Sequence, residues 1–289
     1  GGGSGLDAGK LIAFMSGQTR PIWDFEDIGD WYTRADPAGI APIVAVPTTA
    51  GTGSEVGRAG VVTNKETHTK KVIFHPKMLP AYVICDPELT TGMPRMITVG
   101  TGMDALAHCL EALCSPFYHP MSEGIAVEGA RLALENLPLV AANGQDLVAR
   151  GNMMSAGAMG AVAFQKGLGA IHALSHPVGA LYDTHHGMTN AVFMPYVLKF
   201  NRSAIEAKIE RLAGFCRIKG GFDGFLEHIL KMRADLGVPH TIGGLGVDDA
   251  KRDLIADMAI VDPTAGGNPV ELTRDAALAI FDAALSGGL

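Results

Sequence analysis

The stretch GLGAIHALSHPVGALYDTHHGMTNAV, residues 167–192, decides how this chain is read, because four of its ten histidines fall there, between positions 172 and 186. His172 and His176 are four apart, a spacing that puts both on one face of a helix. His186 lies fourteen residues beyond His172. On one straight helix a rise of about 1.5 Å per residue would carry it roughly 21 Å away. Metal–nitrogen bonds are only about 2.1 Å long, so these two imidazoles share an ion only if the chain doubles back. Asp183-Thr184, with Gly187, supply turn residues where that reversal is needed, and Pro177 disturbs the first helix locally, which leaves the facing of His176 open.

Upstream, TGMDALAHCLEA (residues 101–112) sets Asp104 and His108 at the same four-residue spacing. A carboxylate and an imidazole on one helical face can bind one ion together. One oxygen with three nitrogens suits Fe²⁺, Zn²⁺ or Mn²⁺ better than Cu⁺, which prefers sulfur. Each piece also has an ordinary reading. Asp104 and His108 alone are more often a solvated helix pair, and a lone His172 is more often a core histidine. The joint pattern carries the metal reading. His185 and His68 are expected to be surface residues.

The texture around these motifs changes along the chain. Up to about Pro94, short apolar runs alternate with Gly and Pro. Leu6–Met15 reads as a helix, Pro42–Val46 and Tyr82–Cys85 as buried strands, and Val61–Thr63 with Lys71–Phe74 as an antiparallel pair. From about Met96 helical spacing dominates: Met103–Leu113, Ser122–Leu137, Asp146–Val162, Ala204–Arg217, Phe222–Leu236, Asp248–Ile260 and Thr273–Leu285, with breaks at Val238-Pro239 and Asp262–Pro269. The expectation is an α/β nucleotide-binding domain at 1–95 and an all-helical metal-binding domain at 96–289, with a site in the cleft between them.

Composition narrows the function. With 289 residues, 47% hydrophobic and 18% charged, the chain is long enough for two packed domains. A net charge of -7 disfavours nucleic acid and anionic membrane as partners. Cys85, Cys109, Cys114 and Cys216 form no CxxC pair, and the start does not resemble a signal peptide, so a cytoplasmic setting is expected.

GTGMDALAHCLEA (100–112) and the stretch at 167–192 together resemble the two signatures of the iron-containing (group III) alcohol dehydrogenase family. The resemblance implies that Asp104, His108, His172 and His186 hold the metal. It implies that His176 stands near substrate and nicotinamide, where it relays a proton or orients the substrate. His185 stands where the family usually has Pro. GGGSGLDAGK (1–10) resembles the family's phosphate-binding GGGSxxDxAK, with Gly9 in place of Ala, and PTTAGTGSEV (47–56) resembles its PTTAGTGSE loop. Apart from the resemblance, glycines opening a helix suit a pyrophosphate, and a loop of small hydroxyl residues suits an amide, ribose or phosphate. The cofactor-binding set implied is Gly2, Gly3, Ser4, Asp7, Thr48, Thr49, Thr52, Ser54 and Lys70, with Lys71 leaving the register of the lysine open by one. AGGNP at 265–269 extends the resemblance close to the chain's end. The family has further strand–helix units before the position of Gly1, so a Rossmann-like part incomplete at its N-terminus is expected.

Motifs and resemblance together imply a metal-dependent, NAD(P)-linked alcohol dehydrogenase or aldehyde reductase, in which the metal polarises the substrate oxygen and hydride passes to or from nicotinamide. Fe²⁺ and NAD are the expected cofactors, with Zn²⁺, Mn²⁺ and NADP as alternatives. A small alcohol or aldehyde is the expected substrate and a homodimer the expected assembly. Arg58 and Lys166 suggest a carboxylate in that substrate, as in a hydroxy acid or semialdehyde acid; the ordinary reading is that both face solvent or pair with Glu55 or Asp183. Alternative readings are a dehydroquinate synthase-like or glycerol-1-phosphate dehydrogenase-like relative, and a truncated chain that binds metal without turnover.

Overall fold

The computed structural model describes residues 1–66 and 69–289, so the expectation for His68 lies outside the described residues. The chain opens with α1 (Gly3–Met15) and short 3-10 turns, then runs through β1 (Val44–Ala45), β2 (Ala59–Asn64), β3 (Thr69–Phe74) and β4 (Tyr82–Val83). Helices follow: α2 (Arg95–Cys114), α3 (Pro120–Ala142), α4 (Leu147–Ala163), α5 (Ala170–Tyr182), α6 (His186–Phe215), α7 (Gly221–Leu236), α8 (Arg252–Ile260) and α9 (Arg274–Ser286). β2 and β3 form the expected antiparallel ribbon, with Val61 opposite Val72 and Thr63 opposite Lys70. β1 and β4 pair in parallel, Val44 with Tyr82.

Side-chain volume explains where the layers meet. Phe14, Phe25, Ile73 and Met78 are fully buried between α1 and the ribbon, with the two phenyl rings edge to face at 5.0 Å. A second, larger core gathers Leu106, Leu110, Leu137, Phe193, Phe225 and Phe281 between the helices. Local signals set the helix ends. Asp146 caps α4 by accepting from the Ala149 amide at 3.0 Å, and α7 stops where Gly237 takes a φ of 79°.

Two readings change. The strands expected to be buried are covered only in part: Ala45 is buried, but Val44 is 58% exposed, and Tyr82 and Val83 are 71% and 38% exposed. β1 and β4 pair only with each other among the described residues, and apolar composition alone could not tell a covered strand from an uncovered one. The helix expected at 204–217 is the second half of α6, which starts at His186 and runs through Pro195. Its first half, Gly187–Leu198, is buried on every side, so no polar stripe marks it as helical. No helix among the described residues is long and apolar enough to cross a membrane.

Candidate metal centre

The reversal demanded by the histidine spacing lies between α5 and α6. α5 ends at Asp183, which takes a left-handed φ of 55°, and α6 begins three residues later at His186. His185 caps the new helix, its Nδ1 accepting from the Met188 amide at 3.3 Å. Gly187 lies inside α6, and its backbone seats directly on α2. A Cβ there would stand 2.0 Å from the Gly100 carbonyl oxygen, and one on Gly100 would stand 2.4 Å from the His185 ring. The two glycines let α6 approach α2 closely enough for His186 to meet Asp104.

Four side chains converge as a result. Asp104 Oδ1 lies 3.6 Å from Nε2 of His108, 3.6 Å from Nε2 of His172 and 3.5 Å from Nε2 of His186. Two ligands each about 2.1 Å from a tetrahedral ion stand about 3.4 Å apart, so these edges have the length that a metal polyhedron requires. Donor atoms of Asp104, His108 and His172 also lie within 4.8 Å of one another, and all three residues are buried. Asn190, one turn beyond His186, donates from Nδ2 to Asp104 Oδ1 at 2.8 Å and sits 3.1 Å from Nε2 of both His172 and His186.

The electrostatics of this pocket favour a cation. Burial opposes charge on Asp104, but the imidazoles of His108, His186 and His172 hold its carboxyl well below the usual range. Burial drives His108 and His186 downward against the pull of Asp104, so their nitrogen lone pairs stay available. Burial works against charge on His172 too, yet Glu111 and Asp104 push it up to about 10. One buried carboxylate thus faces the site and a second stands behind His172, and the donor set fits a divalent ion of borderline hardness.

Glu111 is a functional residue that the sequence reading passed over. Its Oε2 lies 2.5 Å from His172 Nδ1, while Oε1 accepts from the amides of Ile171 at 2.7 Å and His172 at 3.4 Å. A carboxylate behind a ligand imidazole keeps the proton on Nδ1 and turns Nε2 toward the ion. The signal was available, since Glu111 follows Asp104 by seven and His108 by three on one helical face.

His176 stays outside the cluster of Asp104, His108, His172 and His186. Its ring stacks on His186 with centroids 5.4 Å apart, and its Nδ1 lies 2.8 Å from Oδ2 of Asp262. Phe164 lies against the other side of the site, 5.0 Å from the His108 ring.

The two loops read as cofactor segments meet each other beside this centre. A Cβ on Gly3 would stand 2.7 Å from the Thr52 hydroxyl and one on Gly2 3.1 Å from the Thr49 methyl, so the two loops pack closely through bare glycine backbone. Ser4 is exposed in the first turn of α1, which starts without a side-chain cap. Thr48 ties the loops together, its amide donating to the Gly1 carbonyl at 2.9 Å. The second loop rests on the helical part: a Cβ on Gly51 would stand 2.5 Å from the Thr101 carbonyl, and Gly53, with a φ of 65°, lies against Ala161. Asp7 and Ser54 are committed to each other, Oγ to Oδ1 at 2.5 Å, and Asp7 Oδ2 accepts from the Val61 amide at 3.0 Å. Buried Lys10 braces the same corner by donating to the carbonyls of Ser54 and Ala59. Lys71 is paired with Glu26 at 3.0 Å, whereas Lys70, on the opposite face of the strand, is exposed and contributes to the positive field at His186.

The two cations proposed for a substrate carboxylate part company. Lys166 is a correction: its ammonium is buried, donates to the carbonyls of Ala112, Leu113 and Ser115 and pairs with Glu123 at 2.9 Å. It closes the C-terminal end of α2, where carbonyls without helical partners attract a cation. Arg58 is exposed, lies over the Phe74 ring at 5.2 Å and donates to Gln165 at 3.4 Å. Gln165 directly follows Phe164, the residue against His108.

Comparison with known proteins agrees with this geometry. The family profile "Iron-containing alcohol dehydrogenase" matches residues 1–87, and "Fe-containing alcohol dehydrogenase family, C-terminal" matches residues 98–285. The chain is 39% identical over 281 residues to a 4-hydroxybutyrate dehydrogenase of Cupriavidus necator, covering 94% of this chain and 72% of that protein. It is 38% identical to a 1,3-propanediol dehydrogenase of Citrobacter freundii, covering 93% of this chain and 70% of that protein. A crystal structure of 1,3-propanediol oxidoreductase superposes with a TM-score of 0.92 at 36% identity, over 98% of this chain and 75% of the other. A sulfoacetaldehyde reductase from Bifidobacterium kashiwanohense, solved with NAD+, superposes with a TM-score of 0.89 at 29% identity, over 99% of this chain and 74% of the other. The convergence of Asp104, His108, His172 and His186, two family profiles spanning most of the sequence and these relatives lead to one conclusion: the chain belongs to the iron-containing alcohol dehydrogenases, oxidoreductases that act on CH–OH groups.

Proposed function

We propose that Asp104, His108, His172 and His186 hold one divalent ion, Fe²⁺ in keeping with the family, and that NAD is the nicotinamide partner. The observation that carries this reading is a single carboxylate oxygen, Asp104 Oδ1, with three imidazole nitrogens at 3.5–3.6 Å. When bound, the ion supplies a Lewis acid for an alcohol or carbonyl oxygen, and the nicotinamide supplies or accepts a hydride. The chain's own residues do the rest. Glu111 fixes the tautomer of His172, Asn190 steadies Asp104, and Phe164 keeps water from one side of His108. His176 holds or moves a proton at its free Nε2. Gly2, Gly3 and Ser4 at the start of α1, facing Thr48, Thr49 and Thr52, form a backbone-rich cradle for a pyrophosphate or ribose. Asp7 and Ser54 brace that cradle, and Lys70 adds charge. In this reading residues 1–95 are a Rossmann-like cofactor part and 96–289 the catalytic part, working as a homodimer in a cytoplasmic setting. Metal analysis of purified protein, alongside NAD- and NADP-linked oxidation of a panel of alcohols, tests it. About one Fe, Zn or Mn per chain with NAD-linked turnover is expected; metal-free protein with unaltered turnover would overturn it.

Arg58 favours a substrate with a terminal carboxylate. It is a cation with no acidic partner among the described residues, beside the residue pair 164–165 that borders His108, and one relative acts on 4-hydroxybutyrate by name. We therefore propose a 4-hydroxybutyrate-like hydroxy acid or its semialdehyde. kcat/KM for 4-hydroxybutyrate should exceed that for 1-butanol, and Arg58→Ala should remove most of the difference. Equal values in the parent protein would refute the carboxylate reading.

A further inference from the structure

Both histidines of α5 have their Nδ1 held by a carboxylate from another element: His172 by Glu111 of α2, and His176 by Asp262 of the segment between α8 and α9. The second pair is held in its own way. Asp262 Oδ2 lies 2.8 Å from His176 Nδ1, while Oδ1 accepts from the Thr264 amide at 2.9 Å and the Thr264 hydroxyl at 2.6 Å. Both carboxylate oxygens of Asp262 are thereby engaged.

The segment carrying Asp262 is itself pinned to α5. Asn268 Oδ1 accepts from the Ala170 amide at 3.1 Å and from Asn201 at 2.9 Å, and its Nδ2 donates back to Asn201 at 2.8 Å. A Cβ on Gly267 would stand 2.0 Å from the Leu168 carbonyl, so the segment lies against the start of α5 with no gap. Asp262 is therefore fixed relative to the helix whose histidine it holds. No hydrogen-bond partner for Nε2 of His176 is found among the described residues, and the His176 side chain is 31% exposed while Asp262 is 13% exposed. The geometry keeps one imidazole edge anchored and the other open beside His186.

We propose that Asp262 is a positioning residue for the dehydrogenase reaction: it keeps the His176 proton on Nδ1, so that Nε2 presents its lone pair to the reacting hydroxyl. The proposal rests on the role given to His176 above. Asp262→Asn tests it with almost no change in shape. The Asn oxygen still accepts from Thr264, but its amide now donates to Nδ1 and transfers the ring proton to Nε2. An amide in place of a carboxylate behind a catalytic imidazole acts by this tautomer reversal.

Three readouts separate the outcomes. Metal content should stay at the parental level in Asp262→Asn and in His176→Ala, since neither residue is placed among the ligands. kcat should fall by about 100-fold in Asp262→Asn with KM nearly unchanged, and the double variant should lose no more than His176→Ala alone. In ¹⁵N-histidine-labelled, zinc-loaded protein at pH 8, the unprotonated-nitrogen resonance of His176 should move from Nε2 in the parent to Nδ1 in Asp262→Asn. If His176→Ala leaves kcat intact, the role given to His176 fails. If His176→Ala lowers kcat but Asp262→Asn does not, or if the tautomer is the same in both proteins, the inference about Asp262 fails. Should Asp262→Asn fold poorly, Thr264→Val removes one of the bonds that aim the carboxylate, and a kcat loss of a few fold is then expected; parental kcat would count against the proposal.

Discussion

Glu111→Gln isolates the carboxylate behind His172 with almost no change in volume. In the parent, one oxygen faces His172 Nδ1 at 2.5 Å and the other faces the Ile171 amide at 2.7 Å, so both positions require an acceptor. Glutamine has one acceptor and one donor. If its oxygen keeps the Ile171 amide, its NH₂ meets Nδ1 and forces the ring proton onto Nε2, the nitrogen needed for the ion. If its oxygen keeps Nδ1, its NH₂ confronts the Ile171 N–H, and a buried donor goes unsatisfied at a cost of about 1–3 kcal/mol. Loss of a partner behind a ligand histidine typically weakens metal binding by about 10–100-fold, or about 1.4–2.7 kcal/mol. The two estimates agree, so a dissociation constant raised by about one to two orders of magnitude is expected. Titration of Zn²⁺ against a competing chelator measures it, with circular dichroism to show that the helices persist. A dissociation constant within twofold of the parent would refute the tautomer argument.

His172→Ala and His186→Ala should each lose most bound metal, whereas His176→Ala should keep it and lose turnover; equal metal loss in all three would put His176 among the ligands. Gly187→Ala places a methyl 2.0 Å from the Gly100 carbonyl, so α6 must shift. About 1–3 kcal/mol of destabilisation is expected from overpacking, together with reduced metal occupancy, and a parental melting temperature would contradict the close seat of α6 on α2.

The convergence of Asp104, His108, His172 and His186 was legible in the sequence because helical spacing is a local rule. Asp104 and His108 declared a shared face, and the fourteen residues from His172 to His186 demanded a reversal that Asp183 supplies with its left-handed backbone. Glu111 and Asp262 were not singled out, since a carboxylate that holds an imidazole looks in sequence like any helical or loop acid. Lys166 misled for the same reason: a lysine six residues before a ligand histidine gives no sign that it turns back to close α2. The start of α6 was hidden because burial on all sides erases the alternation that reveals a surface helix. β1 and β4 have the apolar composition of covered strands, although the structure buries Ala45 and leaves Val44, Tyr82 and Val83 exposed.

The corner between α5 and α6 also has a bearing on how the protein comes apart. An ion bridging His172 and His186 would act as a removable cross-link across that corner, and a covalent tie closing a loop of that size restricts the unfolded chain by about 3 kcal/mol. A bridge to Asp104 spans a far longer loop and ties a third helix to the same point. Bound metal would thus couple three helices into one cooperative unit. Chelation should release the corner first, so that backbone amides from Ala170 to Asn190 exchange with solvent sooner than those of α3 and α7, which carry none of these ligands.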